Sequence, residues 1–209
     1  MPDKQPKKPH HHGNLREALI RAGLVLLEKD GPDALTLRKC AARAGVSHAA
    51  PAHHFNGLIS LKVAIIARGH VLFAEMMRSA CDRAEASPRG QLNAICQGYI
   101  EFSRTHSALF RFMFHPHGEV PADIDATTRS ELEQASFASY DLLHRACMPF
   151  EHAGDNALNT EAMVWSLVHG YAMLFGSPDS GQSPAGPIPQ FASILPKLSL
   201  RPNVGGKGA

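Results

Sequence analysis

The sequence is poor in the residues that usually announce chemistry. It has one tryptophan, three tyrosines and four cysteines among 209 residues, and no Cys-x-x-Cys pair. Cys40, Cys81, Cys96 and Cys147 are therefore expected as reduced, buried thiols rather than as a disulfide framework or a zinc site. No apolar run approaches the roughly 18 residues that span a bilayer. The charged, proline-rich N-terminus lacks the apolar segment of a signal peptide, so a cytoplasmic location is expected. Period-two alternation is missing throughout, which removes β-sheet classes. Nucleophile elbow, phosphate loop and glycine-rich dinucleotide turn are also missing, so neither an enzyme nor a cofactor is expected.

What remains is a globular composition, 44% apolar and 19% charged, with a small net charge unevenly placed. Residues 1–60 carry nine Lys/Arg against five Asp/Glu, and residues 61–209 carry twelve against fourteen. A basic N-terminal third on a mildly acidic remainder suits a nucleic-acid module joined to something else.

Periodicity and punctuation divide the chain into nine helices. Residues 1–13, with Lys4, Lys7, Lys8 and His10 to His12, read as a flexible basic arm. Asn14 caps a first helix to about Lys29, with Leu15, Ala18, Leu19, Ala22, Val25 and Leu26 on its core face. Thr36 caps the second, Gly45 ends it and Ser47 caps a third running to about His54. Pro51 is tolerable there as an early helical residue. The fourth helix, from about Ser60 to Arg83, is roughly 36 Å long at 1.5 Å per residue. Its apolar face holds Leu61, Ala64, Ile65, Val71, Leu72 and Met76.

Four more helices are expected from Pro88 to Thr105, from Ser107 to Phe114, from Asp123 or Asp125 to Cys147, and from Asn156 to Phe175. The third of these turns Leu132, Phe137, Tyr140 and Leu143 inward. A Gly/Ser/Pro-rich connector over 176–189 and a short helix from Gln190 to Leu195 complete the chain.

The stretch from Thr36 to Phe55 has the form of a helix-turn-helix, whose second helix enters the DNA major groove. Ser47, His48, Ala49, Ala52 and His53 fall on its exposed side. His48 and His53 can donate to bases or phosphates, and Ala49 and Ala50 can meet thymine methyl groups. Thr36 and Arg38, at a helix N-terminus, are phosphate candidates.

The first 80 residues resemble the DNA-binding domain of the TetR family of bacterial transcription regulators. The resemblance is carried by Ala44-Gly45-Val46-Ser47, by the closing His54-Phe55 and by the long fourth helix. Trp165-Ser166-Leu167-Val168-His169-Gly170 is similar to the Trp-x-x-x-His-Gly signature of one subgroup of TetR C-terminal domains. His11 to Arg16 and Val46 to Pro51 resemble the same subgroup.

The resemblance implies an all-helical homodimer on a double-stranded DNA operator, with a small-molecule effector in the C-terminal lobe. It also implies dimerisation through the last two long helices. The expected division is an arm over 1–13, a DNA-binding domain over 14–58, a ligand-binding and dimerisation domain over 59–199, and a disordered tail over 200–209. Two positions depart from the family: Ala52 stands where a phosphate-gripping Tyr is usual, and Leu58 where Lys is favoured. Lys62, His53 and the basic arm are the available substitutes.

The C-terminal lobe gathers Phe102, Phe110, Phe114, Phe137, Tyr140, Trp165, His169 and Met173 as ligand-contact candidates. Of these, Trp165, His169 and Met173 share one helix face. His106, His115, His117, His144, His152 and His169 raise a metal hypothesis, but none makes a His-x-x-x-His or Glu-x-x-His pair on a helix. The expected function is a ligand-responsive repressor released from DNA by a small apolar or amphipathic ligand. A metal-responsive regulator, or a helical interaction protein that has lost DNA binding, are the alternatives.

Overall fold

A computed structural model describes residues 15–114, 124–151, 158–176 and 187–201. Among them are eight α-helices: α1 (Leu15–Asp30), α2 (Leu37–Ala44), α3 (Gly57–Asp82), α4 (Pro88–Thr105), α5 (Ser107–Phe114), α6 (Ala126–Cys147), α7 (Asn159–Phe175) and α8 (Phe191–Ile194). Two 3-10 turns, Pro32–Ala34 and Ala50–His53, complete the helical elements. The all-α expectation holds, with one β-bridge between Phe150 and Leu200 among the described residues.

Side-chain caps set three of the helix starts. Thr36 accepts from the Lys39 amide at 3.1 Å, Ser87 from the Gly90 amide at 3.1 Å, and Asp125 from the Thr128 amide at 2.8 Å. Each satisfies a donor that the first turn of a helix would leave orphaned. Asp125, not Asp123, is thus the cap of α6. Gly45 ends α2 in the left-handed region, at φ 72° and ψ 30°, where a side chain would be strained. Asn14, Asp123 and Asn156 lie outside the described residues, as do the basic arm, His115, His117, His152 and most of the 176–189 connector.

The third helix is where the expectation fails. Residues 50–53 form a 3-10 turn, not an α-helix, and its cap position falls on Ala49 without a side-chain bond, so Ser47 does not cap it. Pro51 supplies the reason. It has no N–H to offer the Ser47 carbonyl, which takes the Ala50 amide at 3.1 Å instead; Ala52 likewise bonds back to Ala49 at 3.2 Å. Bonds from residue i+3 replace bonds from i+4, and the tighter winding follows. α3 begins at Gly57, earlier than Ser60, because Gly57 turns the chain at φ 82°.

Four apolar residues expected to face inward do not. Val25, Val71, Phe137 and Tyr140 are exposed, and α1 buries Ile20, Gly23 and Leu27 instead. The tail is also ordered farther than expected. The Arg201 amide bonds to Pro149 at 2.9 Å and its Nε to Phe150 at 2.8 Å, so Leu200 and Arg201 pair with the end of α6 rather than dangling.

α3 is the axis of the fold. It is long and apolar enough by length and composition to cross a membrane, which the absence of a long uninterrupted apolar run did not suggest. Its apolar residues instead build the protein core. Leu61, Ile65, Phe73 and Met77 are buried in one cluster that continues from Leu19 to Leu195. α4 lies so close that a Cβ on Gly98 would stand 2.7 Å from the Met77 Cα. Gly69 is different, because its added methyl would meet only flexible side chains, chiefly Met113 at 2.5 Å from Sδ.

Gly98→Ala should therefore force the two backbones apart and destabilise by about 1–3 kcal/mol in urea denaturation. Gly69→Ala should cost less, since Met113 can swing aside and alanine favours the helix. Equal losses for the two variants would contradict this account of the α3–α4 contact.

Candidate functional site

Two surfaces stand out, at opposite ends of α3. At its N-terminal end, α2, the Gly45 turn and the 3-10 turn present Ser47, His48, Ala49, Ala52 and His53 to solvent. Pro51 and Phe55 are buried beneath them and anchor the segment to the core. Arg38, Lys39 and Arg43 are exposed on α2, and none of the three is in an ion pair among the described residues. Arg38 and Lys39, in the first turn of α2, are placed to attract phosphate together with the helix N-terminus, while Arg43 adds charge from the last turn. Thr36 is half-buried as the α2 cap, while Ala50, His54 and Lys62 are half-buried at the edge of this face. Lys39 and Arg43 were missed in the sequence, although their places on the polar side of α2 could have flagged them.

Behind this surface, Arg16 joins it to α6. Its guanidinium lies 5.0 Å above the Phe55 ring and donates to Glu131 at 2.8 Å and to the Thr128 hydroxyl at 2.8 Å. Thr128 is fully buried and donates its own hydroxyl proton to Asp125 at 2.8 Å. One cation thus ties the base of the exposed segment to the first turns of α6.

The second surface is a cleft of about 500 Å³ bounded by α3, α4, α5, α6 and α7. His70, Phe73 and Met77 come from α3, Tyr99 from α4 and Phe114 from α5. α6 gives Ser136, Phe137, Ser139, Tyr140 and Leu143, and α7 gives Trp165. The walls are aromatic and interlocked, with Phe73 edge-on to Tyr99 at 4.6 Å and Tyr140 edge-on to Trp165 at 5.9 Å. His70 Nδ1 sits 2.9 Å from the Ser139 hydroxyl, and the Tyr99 hydroxyl 2.8 Å from His169 Nδ1. Burial pushes the His70 imidazole down to about 4 and lowers His169 as well, so both are neutral near pH 7. A larger cleft, about 660 Å³, lies between the end of α3, α4 and α8. Its walls include the charged Arg83, Glu101 and Arg104, which suits solvent better than an apolar guest.

Residues 92–182 match the family model described as tetracyclin repressor-like, C-terminal domain. A solved protein with unknown function from Rhodococcus sp. RHA1 is similar at 28% identity and a TM-score of 0.68, over 90% of this chain and 93% of that one. The TetR family transcriptional regulator PfmR from Thermus thermophilus is similar at 18% identity and a TM-score of 0.52, over 77% and 85% of the two chains. FadR from Bacillus subtilis, solved in complex with stearoyl-CoA, is similar at 12% identity and a TM-score of 0.57, over 75% and 84%. None of the curated proteins matches the chain. The fold is that of TetR-family structures.

Residues from the matched stretch, 92–182, supply most of the cleft, and α3 supplies the rest. Of the ligand-contact residues expected from sequence, Phe114, Phe137, Tyr140 and Trp165 line it. Phe102 and Phe110 do not; they are core residues behind its wall. His169 stands behind the lining, bonded to Tyr99 and edge-on to Phe114 at 4.9 Å, and Met173 is exposed on α7. His70, Phe73, Met77, Tyr99, Ser136, Ser139 and Leu143 were missed. The spacing of 70, 73 and 77 marks one face of α3, and that signal was present in the sequence. Among the described residues no group of three or more His, Cys, Asp or Glu could hold a metal ion. The cysteines are free, and burial, before any neighbouring charge, pushes Cys96 and Cys147 up to about 12, far from reactive thiolates.

His70 gives the cleft a measurable pH signature. Its folded value of about 4 lies below the ordinary 6.5, so the unfolded chain binds the proton more readily. The contribution to stability is full above about pH 6.5 and is lost as the pH falls toward 4. The loss is on the order of 3 kcal/mol. Denaturation at a series of pH values should show a flatter slope over this range in His70→Leu than in the parent protein. Parallel slopes would show that His70 is not buried as a neutral group.

Proposed function

We propose that this chain is a dimeric, cytoplasmic transcriptional regulator, a repressor released from operator DNA by a small apolar or amphipathic effector in the aromatic cleft. The observation that carries the reading is the joint role of α6. Its first turns hold Arg16 beneath the DNA-facing segment, and its middle forms a wall of the cleft. An effector that shifts α6 acts on both at once, which is what a coupling between two sites requires. The fatty-acid regulator solved with stearoyl-CoA supports a ligand role for this kind of domain. The Trp165 to Gly170 run supports the Trp-His-Gly subgroup.

Dimerisation is proposed through the outer faces of α6 and α7. Met148, just past α6, and Met173 and Leu174, on α7, are large exposed apolar residues there. Gly170 has nothing within 4 Å of where a Cβ would stand, which leaves room for a partner helix. The division of labour follows: residues 14–58 for DNA, and 59–199 for the effector and the partner. The chain acts by binding, not by catalysis.

A second reading, a helical interaction protein without DNA binding, is favoured by Ala52, Leu58 and the short 3-10 turn at the contact surface. Gel-shift titration against DNA flanking its own gene separates the two. The regulator reading expects specific retardation with an affinity that falls steeply with salt; a folded dimer that retards nothing at low salt refutes it. Arg38→Ala should weaken specific and random DNA by a similar factor, whereas His48→Ala should change the preferred sequence, at about 1–3 kcal/mol per affected base pair. Arg16→Ala should leave operator binding measurable but shrink the fold by which an effector weakens it. Unchanged release in that variant would place the coupling elsewhere.

A further inference from the structure

The geometry points to an uncharged, apolar effector that donates one hydrogen bond through a hydroxyl or N–H group, and to a cleft that turns carboxylates away. The inference rests on the cleft being the effector site and specifies what that site selects.

Charge is the first filter. Among the described residues, no Lys, Arg, Asp or Glu lines the cleft. An ionised group entering it would lose its water and meet Phe73, Met77, Phe114, Leu143 and Trp165 without a counter-ion, and burying an unpaired charge is costly. A neutral guest of the same shape escapes that cost while gaining the same apolar contact.

Hydrogen-bond polarity is the second filter. A serine hydroxyl has one proton to give. Ser139 gives its proton to the Ser136 carbonyl at 2.9 Å, so toward His70 it can only accept. This network assigns the proton to His70 Nδ1, 2.9 Å from that oxygen, and a neutral imidazole then leaves Nε2 as an acceptor. The other hydroxyl protons are spent as well: Tyr99 on His169, Ser136 on the Glu133 carbonyl at 3.2 Å, and Tyr140 on Glu161. The cleft thus offers a guest an acceptor at His70. A hydroxyl or N–H satisfies it, while a carboxylate, an ether or a ketone brings only further acceptors.

Trp165 is the sole tryptophan and lines the cleft, so its emission reports occupancy directly. The test titrates the full-length protein, without DNA and at about pH 7.5 where carboxyls are ionised, with octan-1-ol, heptyl methyl ether and octanoate. These match in length and differ as a neutral donor, a neutral acceptor and an anion. The expected order is the alcohol tightest, the ether several-fold weaker, and octanoate weaker than the alcohol by at least about tenfold. His70→Leu should erase the gap between alcohol and ether while the ether still binds. Ser139→Ala, which releases the Nδ1 proton from its fixed acceptor, should narrow the same gap and serves if the first variant does not fold.

Octanoate binding as tightly as octan-1-ol overturns the inference. So does an alcohol–ether gap that survives in both variants, or no Trp165 response to any of the three. A protein that ranks the probes as expected yet fails to retard DNA refutes the regulator reading and leaves this assignment standing.

Discussion

The contact that the rest of the structure depends on is the close approach of α3 and α4 at Gly98. With a hydrogen in place of a methyl there, the α4 backbone can rest against Met77 and Met76. That distance sets Tyr99 edge-on to Phe73 and brings Phe102 within 5.0 Å of the same ring. The aromatic cluster is therefore packed around a fixed axis, and the cleft is the space left where α6 and α7 close over it. Shape of this kind comes from packing, because close-packed interiors transmit a displaced backbone rather than absorbing it. A glycine in the middle of α4 thus sets the position of two cleft residues, Tyr99 beside it and Met77 against it.

At the other end of α3 the constraint is polar. Arg16 is held by a carboxylate, a threonine hydroxyl and the face of Phe55 together. A second tie runs from Arg68 on α3 to both oxygens of Glu17 on α1, at 2.7 Å on one arm. Forked donors of this sort fix direction as well as distance. The exposed segment at residues 47–53 has little regular hydrogen bonding of its own, and its position depends on Pro51 and Phe55 below it and on these arginines behind it.

Much of this is legible without the structure. Thr36, Ser87 and Asp125 announce three helix starts because a cap is a local event, decided by one side chain and the next turn. Gly45 announces a helix end for the same reason. Pro51 is equally local, but asking only whether an α-helix can tolerate it misses the alternative. That the missing N–H favours a 3-10 turn depends on which donor reaches the Ser47 carbonyl first. Apolar periodicity is a weaker guide. It shows that a face avoids water, not whether it avoids it against the core, a ligand or another chain. Phe137, at 67% exposure, and Trp165, at 40%, satisfy the same period as the fully buried Phe102. The cleft residues on α3 escape notice for a related reason: His70, Phe73 and Met77 share a face, but only the tertiary fold shows what that face meets.

The two ends of the molecule meet in α6, and the chemistry of each end limits what the other can do. The Arg16 tie is made of charge-assisted bonds, which are strong and sharply dependent on geometry. The cleft offers apolar contact and a few neutral hydrogen-bonding groups, which are individually weak and tolerant of geometry. A guest can therefore shift α6 only through the sum of many small contacts along Ser136 to Leu143. The shift needed is small, because the arginine fork loses its alignment within a fraction of a helical turn. In the proposed coupling, an apolar cleft joined to a polar latch would convert a diffuse binding energy into a local break. The same arrangement explains why charge belongs at the latch and not in the cleft: an ion entering beside Phe73 and Trp165 would lose its hydration before reaching anything that could replace it.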